Sequence, residues 1–167
     1  MPPTAPSYTV RILAWDKASA LARPLREKVF VHEQGVPLEE EWDEWDASSE
    51  HAIAFAASGQ PVGTGRLLPQ TDFARQEARI GRMAVLKPWR GRGVGAALLA
   101  ALVELAASRG VQTIVLHAQI QAADFYRCCG FVAEGEAFME AGIAHFTMRR
   151  VLVNPPLVSP PLLNSPG

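Results

Sequence analysis

A glycine-rich turn between an apolar run and a helical segment is the feature that most constrains the fold of this chain. Residues 80–86 predict a strand, residues 96–109 predict a helix, and the turn between them holds three glycines. Such a turn points backbone N–H groups outward at the positive end of the helix dipole, where phosphate oxygens bind. Glycine suits it because a Cβ would block positive φ angles and the close approach of a ligand. The sequence therefore predicts a phosphate-bearing ligand at Arg90, Gly91, Arg92, Gly93, Val94 and Gly95.

Composition narrows the class of protein. A chain of 167 residues can form one domain with a core that needs no metal or disulfide. Its 16 basic and 17 acidic residues give a net charge of -1, which argues against a nucleic-acid partner. Cys128 and Cys129 are neighbours with Cα atoms about 3.8 Å apart, so a disulfide would be strained and ordinary packing is expected. Residues 96–103 form the longest apolar run, far short of the ~20 residues of a membrane span. We expect a reduced, soluble, cytoplasmic protein with no membrane partner.

Hydrophobic periodicity divides the chain into alternating strands and helices. Strands are predicted at residues 8–15, 51–57, 62–68, 78–86 and 113–117, with two more after Phe131, the second over residues 145–151. Helices are predicted from a cap at Asp16 or Ser19 to His32 or Glu33, from Val94 to a cap at Gly110, and over residues 122–129. This order predicts an α/β (mixed α+β) fold, with one mixed central sheet of about seven strands flanked by helices. We expect one domain over residues 8–152, with Pro-rich termini at 1–7 and 153–167.

Three kinds of phosphate-binding site use a glycine-rich turn of this type, and the surrounding residues distinguish between them. A Walker A loop ends in Gly-Lys-Ser/Thr, whereas two alanines follow Gly95, so this class is excluded. A dinucleotide site matches Gly91-x-Gly93 loosely. It is disfavoured, because the next strand ends near Gln119 without a carboxylate for the ribose. The pyrophosphate of coenzyme A is the third ligand.

Two motifs resemble those of the GNAT superfamily of acyl-CoA N-acyltransferases. Arg90-x-x-Gly93-x-Gly95 is similar to the superfamily's Arg/Gln-x-x-Gly-x-Gly/Ala motif. Gln119-x-x-Ala122-x-x-Phe125-Tyr126-x-x-x-Gly130-Phe131 is similar to its Asn-x-x-Ala-x-x-aromatic-Tyr-x-x-x-Gly-Phe box. The predicted element order is also that of a GNAT domain, so the resemblance covers roughly residues 8–152. In addition, Arg26-x-x-Val29-Phe30-Val31-x-Glu33-Gln34-x-Val36-Pro37 resembles a subgroup of small bacterial GNAT proteins.

The resemblance implies a GNAT fold with a coenzyme A site. In that fold the strand before the glycine turn splays from its neighbour, and its free backbone groups bind the thioester and pantetheine, which places Met83, Ala84 and Val85 there. Gln119 takes the place of the family's Asn, next to the pantetheine. Tyr126 corresponds to the general acid toward the sulfur. The residues alone leave two alternatives open, namely core packing of Met83 and Val85 in an ordinary strand and packing of Tyr126 on its helix.

The general base is not defined by the resemblance. An alkylamine with a pKa near 10.4 leaves only about one molecule in two thousand neutral at pH 7. Many GNAT enzymes place a Glu eleven residues before the motif's first residue, but here that position is Arg79, which cannot accept a proton. Glu33, Glu50, His51 and His117 remain. We predict Glu33 or His117 as the base, since His117 follows a strand and has a suitable ordinary pKa.

The acidic segment, residues 39–50, precedes the second predicted strand and contains Trp42 and Trp45. In GNAT folds this region borders the acceptor site. One hypothesis is that the segment attracts a cationic amine, with the tryptophan faces available for cation–π contact. The alternative is a solvated acidic loop anchored by two aromatic side chains.

Taken together, these features predict an N-acetyltransferase that transfers an acetyl group from acetyl-CoA to a primary amine by direct attack, without a metal. Two other functions stay open. A non-catalytic acyl-CoA-binding sensor or interaction module is favoured by Arg79 at the position of the base. An acyltransferase that makes a small signalling amide is suggested by the placement of the Arg26 to Pro37 box. The expected partners are acetyl-CoA and an unidentified amine, and a homodimer is compatible with the sequence.

Overall fold

Seven strands pair into one mixed sheet in the computed structural model, which describes residues 7–70 and 72–152. The strands are β1 (Tyr8–Ala14), β2 (Glu50–Ala56), β3 (Pro61–Leu67), β4 (Glu77–Val85), β5 (Thr113–Gln119), β6 (Val132–Glu140) and β7 (Ile143–Val151). They lie in the order β1-β2-β3-β4-β5-β7-β6, with β4 and β5 parallel and every other pair antiparallel. The predicted sheet is confirmed. Most of the predicted Pro-rich termini, residues 1–6 and 153–167, lies outside the described residues.

Four α-helices flank this sheet: α1 (Trp15–Arg26), α2 (Leu38–Glu41), α3 (Val94–Ser108) and α4 (Ala123–Cys128). A π-helix, Glu27–Glu33, extends α1 to the predicted end of the first helix. The predicted caps at Asp16 and Ser19 are wrong, because the helix follows β1 directly with Ala14 as its N-cap. The Asp16 carboxylate instead accepts a hydrogen bond from the Lys17 N–H within the first turn. Within the described ranges, no helix is long and apolar enough to cross a membrane.

Helix α3 supplies the largest helical contribution to the core. Leu98, Leu102 and Ala106 recur at the helical spacing and are fully buried against the sheet. Gly65 on β3 allows α3 to pack closely against the sheet, because a Cβ at this position would collide with the Met83 sulfur and lie 3.1 Å from Leu102 Cδ1. The helix ends as predicted, with Gly110 just after it at a φ of +80°.

Strand β4 changes its pairing halfway along its length. Arg82 and Met83 oppose the single residue Gly65 on β3, which is the count of a β-bulge, and Arg82 has a φ of +52°. On its other side β4 pairs with β5 only at Glu77, Ala78 and Arg79. The two strands then separate, while β5 stays paired with β7 to its end. The sheet therefore opens into a wedge-shaped gap beside the second half of β4.

A buried cluster of charged side chains links the acidic segment to α1 and β3. Arg26 on α1 is fully buried and bonds the carboxylates of Glu41 and Asp46. Arg66 on β3 bonds Asp46 at 2.9 Å and Asp43 at 2.7 Å. These contacts fasten the acidic segment to α1 and β3, because a carboxylate buried without its partner costs several kcal/mol.

Replacing Arg26 by Met tests this cluster. The variant leaves buried carboxylates short of a cation, so we expect a loss of about 3–5 kcal/mol in the free energy of unfolding, measured by urea denaturation. Arg75→Met is the matched control, because Arg75 forms an exposed ion pair with Asp72 and should change stability by under about 1 kcal/mol. Similar stabilities for the two variants would contradict a structural role for the cluster.

Candidate functional site

A cavity of about 580 Å³ occupies the gap between β4 and β5. Residues 79–85 of β4 line one wall, and Leu116, His117 and Gln119 of β5 line the other. Gln34, just after the π-helix, and the β6–β7 hairpin also border it. Because the splayed strands leave β4 backbone groups without a strand partner, an extended ligand can pair with them as a missing strand would.

The glycine turn borders this cavity, because its first residue, Arg90, is part of the cavity lining. Gly91 and Gly93 have φ angles of +76° and +83°, as the turn geometry was predicted to require. Gly93 caps α3, and its carbonyl oxygen accepts the Ala97 N–H at 3.0 Å. The N–H groups of the first helical turn have no partner within the helix, so those of Val94 and Gly95 are available to an anion.

The two arginines of the turn have different surroundings. Arg90 donates from Nε to the Val85 carbonyl oxygen at 2.9 Å and from Nη2 to Glu33 at 2.7 Å. Arg92 stacks over Trp89, with 4.9 Å between the guanidinium carbon and the ring centroid. Glu33, one of the two predicted bases, thus lies in an ion pair at the turn and outside the cavity lining.

Tyr126 on α4 lines the cavity and is only 8% exposed. Its ring makes edge-on contacts with Phe125 and Phe131, with centroid distances of 5.0 Å and 6.0 Å. Burial, with a smaller effect from the Cys129 thiol, raises the pKa of Tyr126 well above its ordinary value. The hydroxyl is therefore protonated at neutral pH and available as a hydrogen-bond donor.

A reciprocal amide pair spans the gap. Gln119 donates to the Gln34 side-chain oxygen at 2.8 Å, and Gln34 donates back to the Gln119 oxygen at 3.2 Å. Gln121 also donates to Gln119 at 2.6 Å. The predicted pantetheine-binding residue Gln119 is therefore tied to the segment after the π-helix, 85 residues away in sequence.

His117, the other predicted base, lies in the cavity wall among charged groups from three strands. Arg79 on β4 approaches its Nδ1 at 2.6 Å, and Glu140 on β6 lies 3.2 Å from the same nitrogen. His145 on β7 lies 3.8 Å from Glu140. Burial and then the Arg79 charge lower the pKa of His117, against the opposing effect of Glu140. The imidazole is therefore neutral at pH 7 and able to accept a proton.

The comparisons with known proteins identify this arrangement. Residues 17–152 match the family model of the acetyltransferase (GNAT) domain. The chain belongs to the GNAT family. YjcF of Bacillus subtilis (strain 168), named an uncharacterized N-acetyltransferase, is 40% identical over 127 residues, which is 75% of this chain and 87% of the relative. The predicted family and the predicted enzyme class, an acyltransferase, are confirmed.

Solved structures agree with this assignment. The crystal structure of a candidate N-acetyltransferase from Lactobacillus plantarum is 32% identical, has a TM-score of 0.78 and covers 88% of this chain and 99% of that one. The paia N-acetyltransferase of Thermoplasma acidophilum, solved in complex with coenzyme A, has a TM-score of 0.64. It covers 87% of this chain and 99% of that one at 18% identity, which shows a shared fold alone.

The acidic segment of this GNAT domain is only partly engaged by arginines. Glu41 and Asp46 are buried, and Asp43 bonds Arg66. Arg82, from the β4 bulge, lies 3.3 Å from both Glu41 and Asp43. Glu40 is exposed and lines the cavity, so the attraction of a cationic amine stays a prediction. Of the two tryptophans, Trp42 packs against Arg23 and Arg26, and Trp45 lines the cavity.

The remaining predicted groups lie outside the cavity lining. Glu50 pairs with Arg109, and His51 is buried with its Nε2 3.0 Å from the Asp46 carbonyl oxygen. Cys128 is exposed and Cys129 is partly buried, both as free thiols. Glu50 and His51, which the sequence left as further candidates for the base, thus form contacts outside the cavity.

Polar cavity residues that were not predicted from the sequence include Gln34, Arg66, Arg82, Glu140 and His145. Gln34 is part of the motif of the small bacterial subgroup, so its position in that motif was the available signal. Glu140 and His145 flank the turn of a terminal hairpin, and only the pairing of β7 with β5 brings them beside His117.

The buried charge cluster also predicts that the protein loses stability at acid pH. Burial opposes ionisation of Asp43, but the hydrogen bonds and charge of Arg66 outweigh it and lower its pKa from 3.8 to about 2. The contribution of Asp43 to stability is therefore complete above pH 3.8 and is lost as the pH falls toward 2. We expect the unfolding free energy of Asp43→Asn, measured between pH 5 and 2, to fall less steeply than that of the wild type. Asp124→Asn, at an exposed position, is the control and should match the wild-type slope.

Proposed function

We propose that this chain transfers the acetyl group of acetyl-CoA to a primary amine by direct attack of the amine nitrogen on the thioester carbon. The observation that carries the proposal is one continuous cavity lined by Arg90 at the glycine turn, Tyr126 and His117. Membership in the GNAT family supports an acyl-CoA donor. The coenzyme A complex of the Thermoplasma relative supports the same ligand class.

The donor site is built from backbone groups. The N–H groups of Val94 and Gly95 bind the pyrophosphate at the positive end of α3, with Arg92 nearby. The pantetheine arm pairs with the β4 backbone at Met83, Ala84 and Val85, along the edge where β5 provides no partner and beside the Val85 carbonyl that already accepts from Arg90. The amide of Gln119 in the opposite wall is a second partner for the arm.

The chemical step needs a stabilised oxyanion, a neutral amine and a stabilised thiolate. His117 first takes a proton of the bound ammonium, which leaves a neutral amine. A β4 backbone N–H in the gap donates to the carbonyl oxygen as the nitrogen–carbon bond forms, an effect worth about 3 kcal/mol in other acyl-transfer enzymes. The carbon–sulfur bond then breaks while Tyr126 hydrogen-bonds the departing sulfur. The nitrogen loses its second proton as the amide forms, and water passes this proton to the thiolate. Full proton transfer from Tyr126 is uphill, since ordinary pKa values of about 10 for tyrosine and 8.5 for a thiol already disfavour it.

The proposal as a whole is tested by thiol release from acetyl-CoA with a panel of primary amines. Amine-dependent release supports acetyl transfer. Binding of coenzyme A, measured by calorimetry, without release for any amine would instead support the non-catalytic sensor.

Tyr126→Phe tests the role of the hydroxyl. Because a hydrogen bond to a charged group is worth about 1.5–3 kcal/mol, we expect kcat to fall ~10- to 100-fold while the Kd for coenzyme A is unchanged. Ser58→Ala is the control, since this hydroxyl lies in the exposed β2–β3 turn and does not line the cavity. An unchanged kcat in Tyr126→Phe would remove this residue from the mechanism.

His117→Gln tests the base through the pH dependence of kcat/KM. In the wild type kcat/KM should rise and level off at the pKa of His117, below its ordinary 6.5, because burial and Arg79 lower it while Glu140 and His145 also face the ring. In the variant only neutral amine from solution reacts, so kcat/KM should keep rising through pH 7 to 9. The exposed His32→Gln should retain the wild-type profile. A plateau in His117→Gln would exclude His117 as the base.

A further inference from the structure

Arg79 lies at the point where β4 and β5 separate. It is the last β4 residue to pair with β5, opposite Val115, and its side chain lines the cavity. An arginine carries its charge at every accessible pH, so this wall of the cavity holds a permanent cation.

The charge of Arg79 is not balanced by a carboxylate within the part of the chain that the structure describes. The other arginines of the cavity lining are each matched: Arg66 by Asp43, Arg82 by Glu41 and Arg90 by Glu33. The Nη2 of Arg79 instead contacts the imidazole of neutral His117, 2.6 Å from Nδ1 and 3.2 Å from Nε2. A guanidinium resting on a neutral imidazole retains most of its capacity for an anion, because its planar fork matches a carboxylate with two hydrogen bonds.

Arg79 and Glu140 both contact the imidazole of His117. The Arg79 guanidinium lies 2.6 Å from Nδ1 and 3.2 Å from Nε2, and the Glu140 carboxylate lies 3.2 Å from Nδ1. A ligand that draws the Arg79 guanidinium away therefore removes a cation from the ring. Glu140 then remains to accept a hydrogen bond from the protonated imidazole.

We infer that the acceptor is a free amino acid, whose carboxylate binds Arg79 and whose ammonium lies at His117 and Glu140. This inference rests on the proposed acetyl transfer and names its substrate class. The neutral imidazole of His117 has a cation on one side and an anion on the other, because Arg79 lies 2.6 Å and Glu140 3.2 Å from its Nδ1. That order complements a compact zwitterion, in which an anion and a cation are held one or two carbons apart.

The charge balance favours a carboxylate over a phosphate. One unmatched guanidinium neutralises one negative charge, whereas a phosphate monoester carries about 1.5 to 2 charges at neutral pH. The neighbouring Glu140 would repel the second charge. A monoanionic group attached near the amine is therefore the best match.

The test compares each amino acid with the amine that lacks its carboxylate: leucine with 3-methylbutylamine and phenylalanine with phenethylamine. In the wild type we expect kcat/KM, measured by thiol release from acetyl-CoA, to favour the amino acid by about 10-fold or more, the range of a charge-assisted hydrogen bond. Arg79→Gln should abolish this preference, Arg79→Lys should keep part of it, and Arg79→Glu should reverse it. Arg75→Gln, an exposed arginine outside the cavity, should behave as wild type.

Calorimetry separates failure of this inference from failure of the proposed function. Arg79-dependent binding of amino acids to the protein with coenzyme A, in the absence of turnover, would overturn acetyl transfer and keep the assigned carboxylate site. Turnover of both members of each pair at equal kcat/KM, or a preference that Arg79→Gln retains, would overturn the inference while acetyl transfer stands. Absence of both turnover and amino-acid binding would overturn both.

Discussion

The separation of β4 from β5 after three residue pairs is the constraint on which the site depends. It leaves one side of the second half of β4 without a strand partner, while on its other side β4 pairs with β3 both before and after the bulge at Arg82. Unpaired backbone groups are costly when buried, so a strand with such an edge needs either water or a ligand that supplies donors and acceptors. The same gap connects the glycine turn to Tyr126 and His117. The proposed donor site and the proposed chemical groups, Tyr126 and His117, therefore both depend on this gap between β4 and β5.

The second determinant is how the fold distributes charge around that gap. Arg26, Arg66 and Arg82 engage Glu41, Asp43 and Asp46, so only part of a segment that is strongly acidic in sequence, notably the exposed Glu40, is left to act on a ligand in the cavity. A buried ion-pair cluster of this kind fixes the position of α2 more than it adds stability, since desolvation offsets much of its Coulombic attraction. The charges left to act on a ligand are those that the cluster does not engage.

Sequence reasoning succeeded where the signal was local. The glycine turn, the Tyr126 box and the alternation of elements each depend on residues close together in the chain, and they predicted the family, the seven-stranded sheet and the cavity position of Tyr126. Reasoning failed where the outcome depended on distant partners. The pairing of Asp43 with Arg66 spans 23 residues, and that of Gln119 with Gln34 spans 85. The position of Glu140 beside His117 depends on β7 pairing between β5 and β6, and no local pattern specifies that order.

Arginine at position 79 changes the acid–base chemistry of the site as well as its charge. A glutamate there would itself accept the proton, whereas Arg79 adds to the effect of burial in lowering the pKa of His117 and contacts both of its ring nitrogens. A base with its pKa lowered in part by a neighbouring cation becomes stronger when that cation finds another partner. If the partner is the carboxylate of the acceptor, binding both delivers the amine and raises the basicity of His117, because the Arg79 charge is then neutralised while Glu140 still favours the imidazolium. Substrate binding and base activation would then be one event, so an amine without a carboxylate would meet a site whose base is still engaged.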